Sequence, residues 1–207
     1  KLKEIQILSI LCVFGFTICF LKLKSNVQWS LLFLGIITFF YAMPLKWFSN
    51  NSLRKISGLK IYIIAFVWAI TTALLPQLNG GLEVFELNYI WVLERFVFIF
   101  ILMLPFEIRD MNFDDLKLST IPQKIGLFNT KKLAYFGILV LIFFLYSNTS
   151  KLEIISTSIM LTILFVFIVK SRPQNSFYYT AFWVEALPIF WWLMSISLEI
   201  LHESGTL

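Results

Sequence analysis

Seven runs of mostly apolar residues, near 5–21, 29–44, 61–77, 88–108, 133–148, 153–169 and 178–201, limit what this chain can fold into. A helix needs about 20 such residues to cross roughly 30 Å of hydrocarbon, and it satisfies its own backbone polar groups on the way. The runs are continuous rather than alternating, which argues against a membrane barrel. A mean hydropathy of +0.83, with 23 Phe and 7 Trp, exceeds what a soluble core can hide. The predicted fold is all-α: a polytopic bundle of about seven spanning helices forming a single integral membrane domain over 1–207. The second and fifth runs are short and must borrow flanking residues or cross with little tilt. The opening "KLKEIQILSILCVFGFTICF" reads as a spanning helix rather than a signal peptide, because no small-residue cleavage site follows it.

Orientation follows from the 17 Lys and Arg. Alternating seven helices across a bilayer collects Lys1, Lys3, the cations from Lys46 to Lys60, those from Arg109 to Lys132, Lys170 and Arg172 on one side. The other side holds Lys22, Lys24 and Lys151, and its loop "LNGGLEVFELN" carries Glu83 and Glu86 without a cation. Positive charge accumulates on the cytoplasmic side of short loops, so the first side is expected to be cytoplasmic, as in a bacterial inner membrane protein. Attraction to anionic lipid and anionic substrate accounts for the net charge of +5 without a nucleic-acid partner. Nothing in the sequence fixes an oligomeric state.

One cytoplasmic connection gathers charge that the rest of the chain avoids. "FEIRDMNFDDLKLSTIPQKIG", 106–126, places Glu107, Asp110, Asp114 and Asp115 beside Arg109, Lys117 and Lys124. If the fourth helix continues through it, Glu107, Asp110 and Asp114 fall at i, i+3 and i+7 on one face. Three acids there repel one another unless a cation sits among them, and Mg²⁺ bound through one or two carboxylates plus substrate phosphates is the usual answer. Nearby Arg and Lys then meet the remaining phosphate oxygens. A solvated loop of balanced charge fits the spacing equally well.

The run "EIRDMNFDDLKLSTIPQKIG" resembles the second aspartate-rich signature of the UbiA superfamily of intramembrane prenyltransferases. Glu107, Asp110 and Asp114 match its three acids, with Glu in place of the first Asp. Arg109, Lys117, Thr120, Pro122 and Gly126 match in kind, and "FFYAMPLKWF" supplies Tyr41, Pro44 and Lys46 where the family carries a Tyr, a Pro and basic residues. The Gly after the last Asp is absent, and the spacer from Asp114 to Thr120 is short. The resemblance implies Mg²⁺-dependent transfer of an isoprenyl group from its diphosphate to an aromatic or lipid-like acceptor, a step of isoprenoid biosynthesis. It assigns Asp110 and Asp114 to catalysis and metal, Glu107 to metal as a weaker ligand, and Arg109, Lys117, Lys46 and Tyr41 to the diphosphate, with Lys60 and Lys124 nearby. The family has nine helices and a first acidic signature. Seven runs and no such signature are present here, so residue 1 is expected to lie just after that first signature.

Outside this stretch, Arg95 and Glu185 are costly charges inside apolar runs, about 2.5–3.5 kcal/mol each on the insertion scale. Both are expected to face the bundle interior, with Arg95 meeting Glu185 or Glu94, or Glu185 orienting an acceptor. Cys12 and Cys19 read as small apolar side chains, and His202 has no catalytic partner. Three alternatives stand beside the transferase. An enzyme acting on CDP-alcohols would need D-G-x-x-A-R, which is missing, and a transporter would need inverted repeats or paired broken helices. A catalytically decayed relative, acting as a partner subunit, remains the stronger rival.

Overall fold

In a computed structural model, residues 2–42, 58–113, 119–146 and 151–204 are described. They form seven helices long and apolar enough to cross a membrane, and no strand occurs among them. These are α1 (Leu2–Leu21), α2 (Ser25–Ala42), α3 (Leu59–Gly80), α4 (Tyr89–Asp110), α5 (Ile121–Leu145), α6 (Lys151–Lys170) and α7 (Tyr179–Glu203). The all-α membrane bundle expected from the apolar runs is the fold observed.

Helix α4 forms the spine and packs against α3, α5, α6 and α7. Its buried face, including Phe98, Ile101 and Leu104, meets Ile61 and Ala65 of α3, Ala134 and Ile138 of α5, Leu164 of α6 and Trp191 of α7. In lipid this packing rests on shape more than on removal from water, so close approach of backbones matters. Gly137 of α5 leaves room for a side chain of α4: a Cβ there would stand 2.6 Å from Cδ1 of Ile101. A smaller cluster joins Val27 and Leu34 of α2 to Leu75 and Leu78 of α3. Helix α1 has no buried residue over 3–21 and shows its apolar side chains all round. In a bilayer those side chains meet lipid tails at no cost.

Two helices change winding before a proline. Residues Ile70–Leu74 of α3 and Tyr179–Val184 of α7 are π-helical, with Pro76 and Pro188 following. A proline cannot donate to the carbonyl four residues back, and a wider turn re-routes the ladder, as in the Glu185 N–H bond to the Thr180 carbonyl at 3.2 Å.

Helix α5 begins at Ile121, twelve residues earlier than the apolar run near 133 suggested. Its first turns carry Gln123, Lys124, Asn129, Lys131 and Lys132, which break the apolar count, while Pro122 stands at a position suited to helix initiation. Oε1 of Gln123 accepts from the Thr120 N–H at 3.0 Å. Gly126 interrupts the winding with φ of 78°, a left-handed value that disfavours side chains with a Cβ, so a short entry helix bends there into the spanning one.

Candidate functional site

The end of the bundle where α4 stops and α5 starts holds Glu107, Arg109 and Asp110. Helix α4 ends at Asp110, and a turn follows in which the Phe113 N–H bonds the Asp110 carbonyl at 2.8 Å. The helical face expected to carry three acids therefore ends with its second one. Asp114, Lys117, Lys46 and Pro44 lie outside the described residues.

Glu107 and Asp110 lie one turn apart on α4 and part company. Glu107 is only 1% exposed, and its Oε2 accepts from the Ile121 N–H at 3.2 Å. That N–H belongs to the unpaired first turn of α5, where a carboxylate is favoured by the helix dipole. Glu107 thus ties the α4 end to the α5 start. Asp110 faces a cavity instead.

The Arg109 guanidinium clasps Asp110 through two bonds, Nε to Oδ1 at 2.6 Å and Nη2 to Oδ2 at 2.7 Å. Its Nη1 donates to Oγ1 of Thr180 in the π-helical start of α7. The rings of Phe106 and Phe177 lie 5.7 and 5.0 Å from the guanidinium carbon. Arg109 is thereby held from three sides while its side chain keeps 14% of its surface accessible.

Behind this pair lies a cavity of about 830 Å³ between α3, α4 and α7. Lys60, Arg109, Asp110 and Glu185 are its charged lining, and Ile64, Trp68, Leu102, Phe106, Phe182 and Pro188 supply much of its apolar wall. Volume and lining suit an amphipathic ligand with an anionic head at the Arg109 end and a hydrocarbon body between the helices. Lys60 reaches it from the first turn of α3. Lys124 is exposed nearby, close to Gly58 at the start of α3. Tyr41, at the end of α2, is half-buried and does not line this cavity.

Among the described residues, no three His, Cys, Asp or Glu side chains group as metal ligands. Asp110 is the described carboxylate of the acidic stretch that faces the cavity; Glu107 is turned toward α5.

Of the two partners expected for Arg95, the structure brings Glu94 into electrostatic reach and leaves Glu185 at the other cavity. Arg95 stands six residues into α4, and its guanidinium lies 3.9 Å from the Trp191 ring centroid. Glu185 follows directly on the π-helical turn near the opposite end and lines the Arg109 cavity. Fourteen residues of α4 separate Arg95 from Arg109, about 21 Å at 1.5 Å per residue, so the two charges belong to different ends of the bundle. Thr180 was not singled out in the sequence. The one aliphatic hydroxyl in the aromatic run "FYYTAFW", five residues before Glu185, is the signal that marks it.

No protein-family model, no curated protein and no solved structure matches the chain.

Proposed function

We propose that this end of the bundle binds an isoprenyl diphosphate and transfers its isoprenyl group to a small acceptor, with the site facing the cytoplasm. The observation that carries the reading is the Arg109–Asp110 pair at the mouth of a large apolar cavity that also holds Lys60. The resemblance of residues 107–126 to the UbiA signature points the same way. The donor set suits Mg²⁺, which takes one or two carboxylates beside substrate phosphates; Asp110 would hold it, joined by Asp114. When bound, Mg²⁺ supplies charge neutralisation for the leaving diphosphate.

The chain's own residues do the rest. In the free site Arg109 and Asp110 compensate each other, which limits the cost of holding two charges in an apolar surround. A diphosphate offers Arg109 a bidentate partner of the same kind as the carboxylate. Arg109 then turns from Asp110 to the phosphate oxygens, and Lys60 adds a point charge. As the allylic C–O bond breaks, the electron pair leaves with the diphosphate and positive charge develops on carbon; Trp68, Phe106 and Phe182 face that charge and exclude water. Glu185 is placed to accept a hydrogen bond, or the proton released, from the acceptor.

The test is diphosphate release from an isoprenyl diphosphate by the protein in membranes, with and without Mg²⁺. Release is expected to need Mg²⁺ and to fall at least tenfold in Asp110→Asn. Unchanged release in that variant removes Asp110 from the reaction.

One observation favours a second reading, a decayed relative that binds a lipid diphosphate without turning it over. Asp110 is already neutralised by Arg109, and Glu107 serves the α4–α5 junction. Saturable binding without diphosphate release under any acceptor supply would select it.

A further inference from the structure

At the end of the bundle opposite Asp110, the starts of α4 and α6 and the last turns of α7 enclose a second cavity, of about 340 Å³. Its charged lining is Glu94, Arg95, Glu153 and Glu199. It shares Trp68, Ile99 and Pro188 with the larger cavity, so an apolar wall runs from one to the other.

Two charged groups stand here within the bundle without a hydrogen bond to any described group. Glu94 is 8% exposed, and no described group donates a hydrogen bond to it. Nε of Arg95 is buried without an acceptor. Neighbours on α4, the two attract each other through space but share no hydrogen bond. A buried donor lacking an acceptor forgoes a bond worth having, and a carboxylate lining the cavity is open to accept one. A ligand that meets both carries an ammonium and an anion.

The depth of the charges selects among such ligands. Glu153 is the third residue of α6 and Glu199 lies four before the end of α7, about 3 and 6 Å from those helix ends; Glu94 and Arg95 lie about 7.5 and 9 Å beyond Tyr89. Carboxylates thus come first and the guanidinium last. A zwitterionic phospholipid has the same order, with ammonium outermost, phosphate below it and acyl chains below that. Three carboxylates against one guanidinium leave an excess of negative charge, which repels an anionic headgroup. We infer that this cavity binds the headgroup of a zwitterionic, amine-bearing phospholipid, with its ammonium at Glu94, Glu153 and Glu199 and its phosphate at Arg95.

This site stands apart from the transfer reaction, and its test is binding. The purified chain in detergent is titrated with short-chain phosphatidylethanolamine, phosphatidylglycerol or free phosphoethanolamine, and retained lipid is read by native mass spectrometry. Phosphatidylethanolamine is expected to be retained at least fivefold over phosphatidylglycerol. The Glu153→Gln, Glu199→Gln double variant, altered only at exposed positions, is expected to reduce that ratio below twofold. Equal retention of the two lipids by the unaltered chain overturns the assignment, as does a double variant with its preference intact. Displacement of the lipid by an equal concentration of free phosphoethanolamine overturns the lipid as occupant.

Discussion

Glu107 and Arg109 stand two residues apart at the end of α4 and hold different neighbours: the Glu107 carboxylate accepts from the Ile121 N–H of α5, and the Arg109 guanidinium donates to the Thr180 hydroxyl of α7. The last turn of α4 therefore fixes the starts of two other helices. Asp110, between and beyond them, keeps its carboxylate at the cavity through its bonds to Arg109.

Glu107 is expected to reveal itself in stability before activity. In Glu107→Leu the Ile121 N–H loses its acceptor in a buried setting, costing about 1–3 kcal/mol. Glu107→Gln keeps an oxygen at that place and should melt close to the unaltered protein. Thermal unfolding in detergent compares them; equal melting of all three would show that the bond does not hold the junction.

Arg109→Lys removes the planar fork that meets a carboxylate or a phosphate with two parallel bonds. Affinity for an isoprenyl diphosphate, measured by equilibrium binding in nanodiscs, is expected to fall at least tenfold. Thr180→Val conserves shape and deletes one anchor, so a smaller loss of about threefold is expected from one neutral-partner bond. If Arg109→Lys binds as the unaltered protein does, the diphosphate head lies elsewhere.

Gly137→Val tests the contact between α4 and α5. The new side chain would press on Ile101, which is 1% exposed and has no room to retreat. Overpacking of this kind costs about 1–3 kcal/mol. A lower unfolding temperature is expected, and an unchanged one would mean that the helices can part there without loss.

The orientation proposed from Lys and Arg is open to labelling. Phe85 and Phe113 are exposed at opposite ends of α4. With Cys12 and Cys19 replaced by Ala, a cysteine at 85 is expected to react with an impermeant maleimide in intact cells, and one at 113 only after permeabilisation. The reverse pattern would place the Arg109 cavity on the outer face.

Much of this architecture was legible because apolar length is a property of the segment. The start of α4 near 88 and the end of α6 near 169 fall within a residue of Tyr89 and Lys170. The start of α5 was hidden, since Gln123, Lys124 and Asn129 are polar and only the Thr120–Gln123 capping pattern with Pro122 marks it. Arg109 and Asp110 stood out in the sequence by charge density, and with Lys60 they line one cavity. The assignment of Glu185 to Arg109 rather than Arg95 was not legible, because helix phase there depends on a π-helical turn that shifts every later side chain around the axis.

Glu185 offers a way to test the proposed binding and the proposed chemistry separately. Its carboxylate lines the cavity past the Arg109–Asp110 pair, about 9 Å into α7 from Tyr179 at 1.5 Å per residue, where a diphosphate held by Arg109 and Lys60 does not need it. In the proposed transfer an acceptor between α3 and α7 would need it, because loss of its proton must accompany bond formation if no positive charge is to remain on the product. Glu185→Gln keeps size and hydrogen bonding but cannot take that proton. Isoprenyl diphosphate affinity is expected to stay within twofold while transfer falls at least tenfold, a loss in kcat with the donor's KM nearly fixed. A matching fall in donor affinity would instead place Glu185 at the diphosphate, and unchanged transfer would leave the acceptor to another part of the cavity.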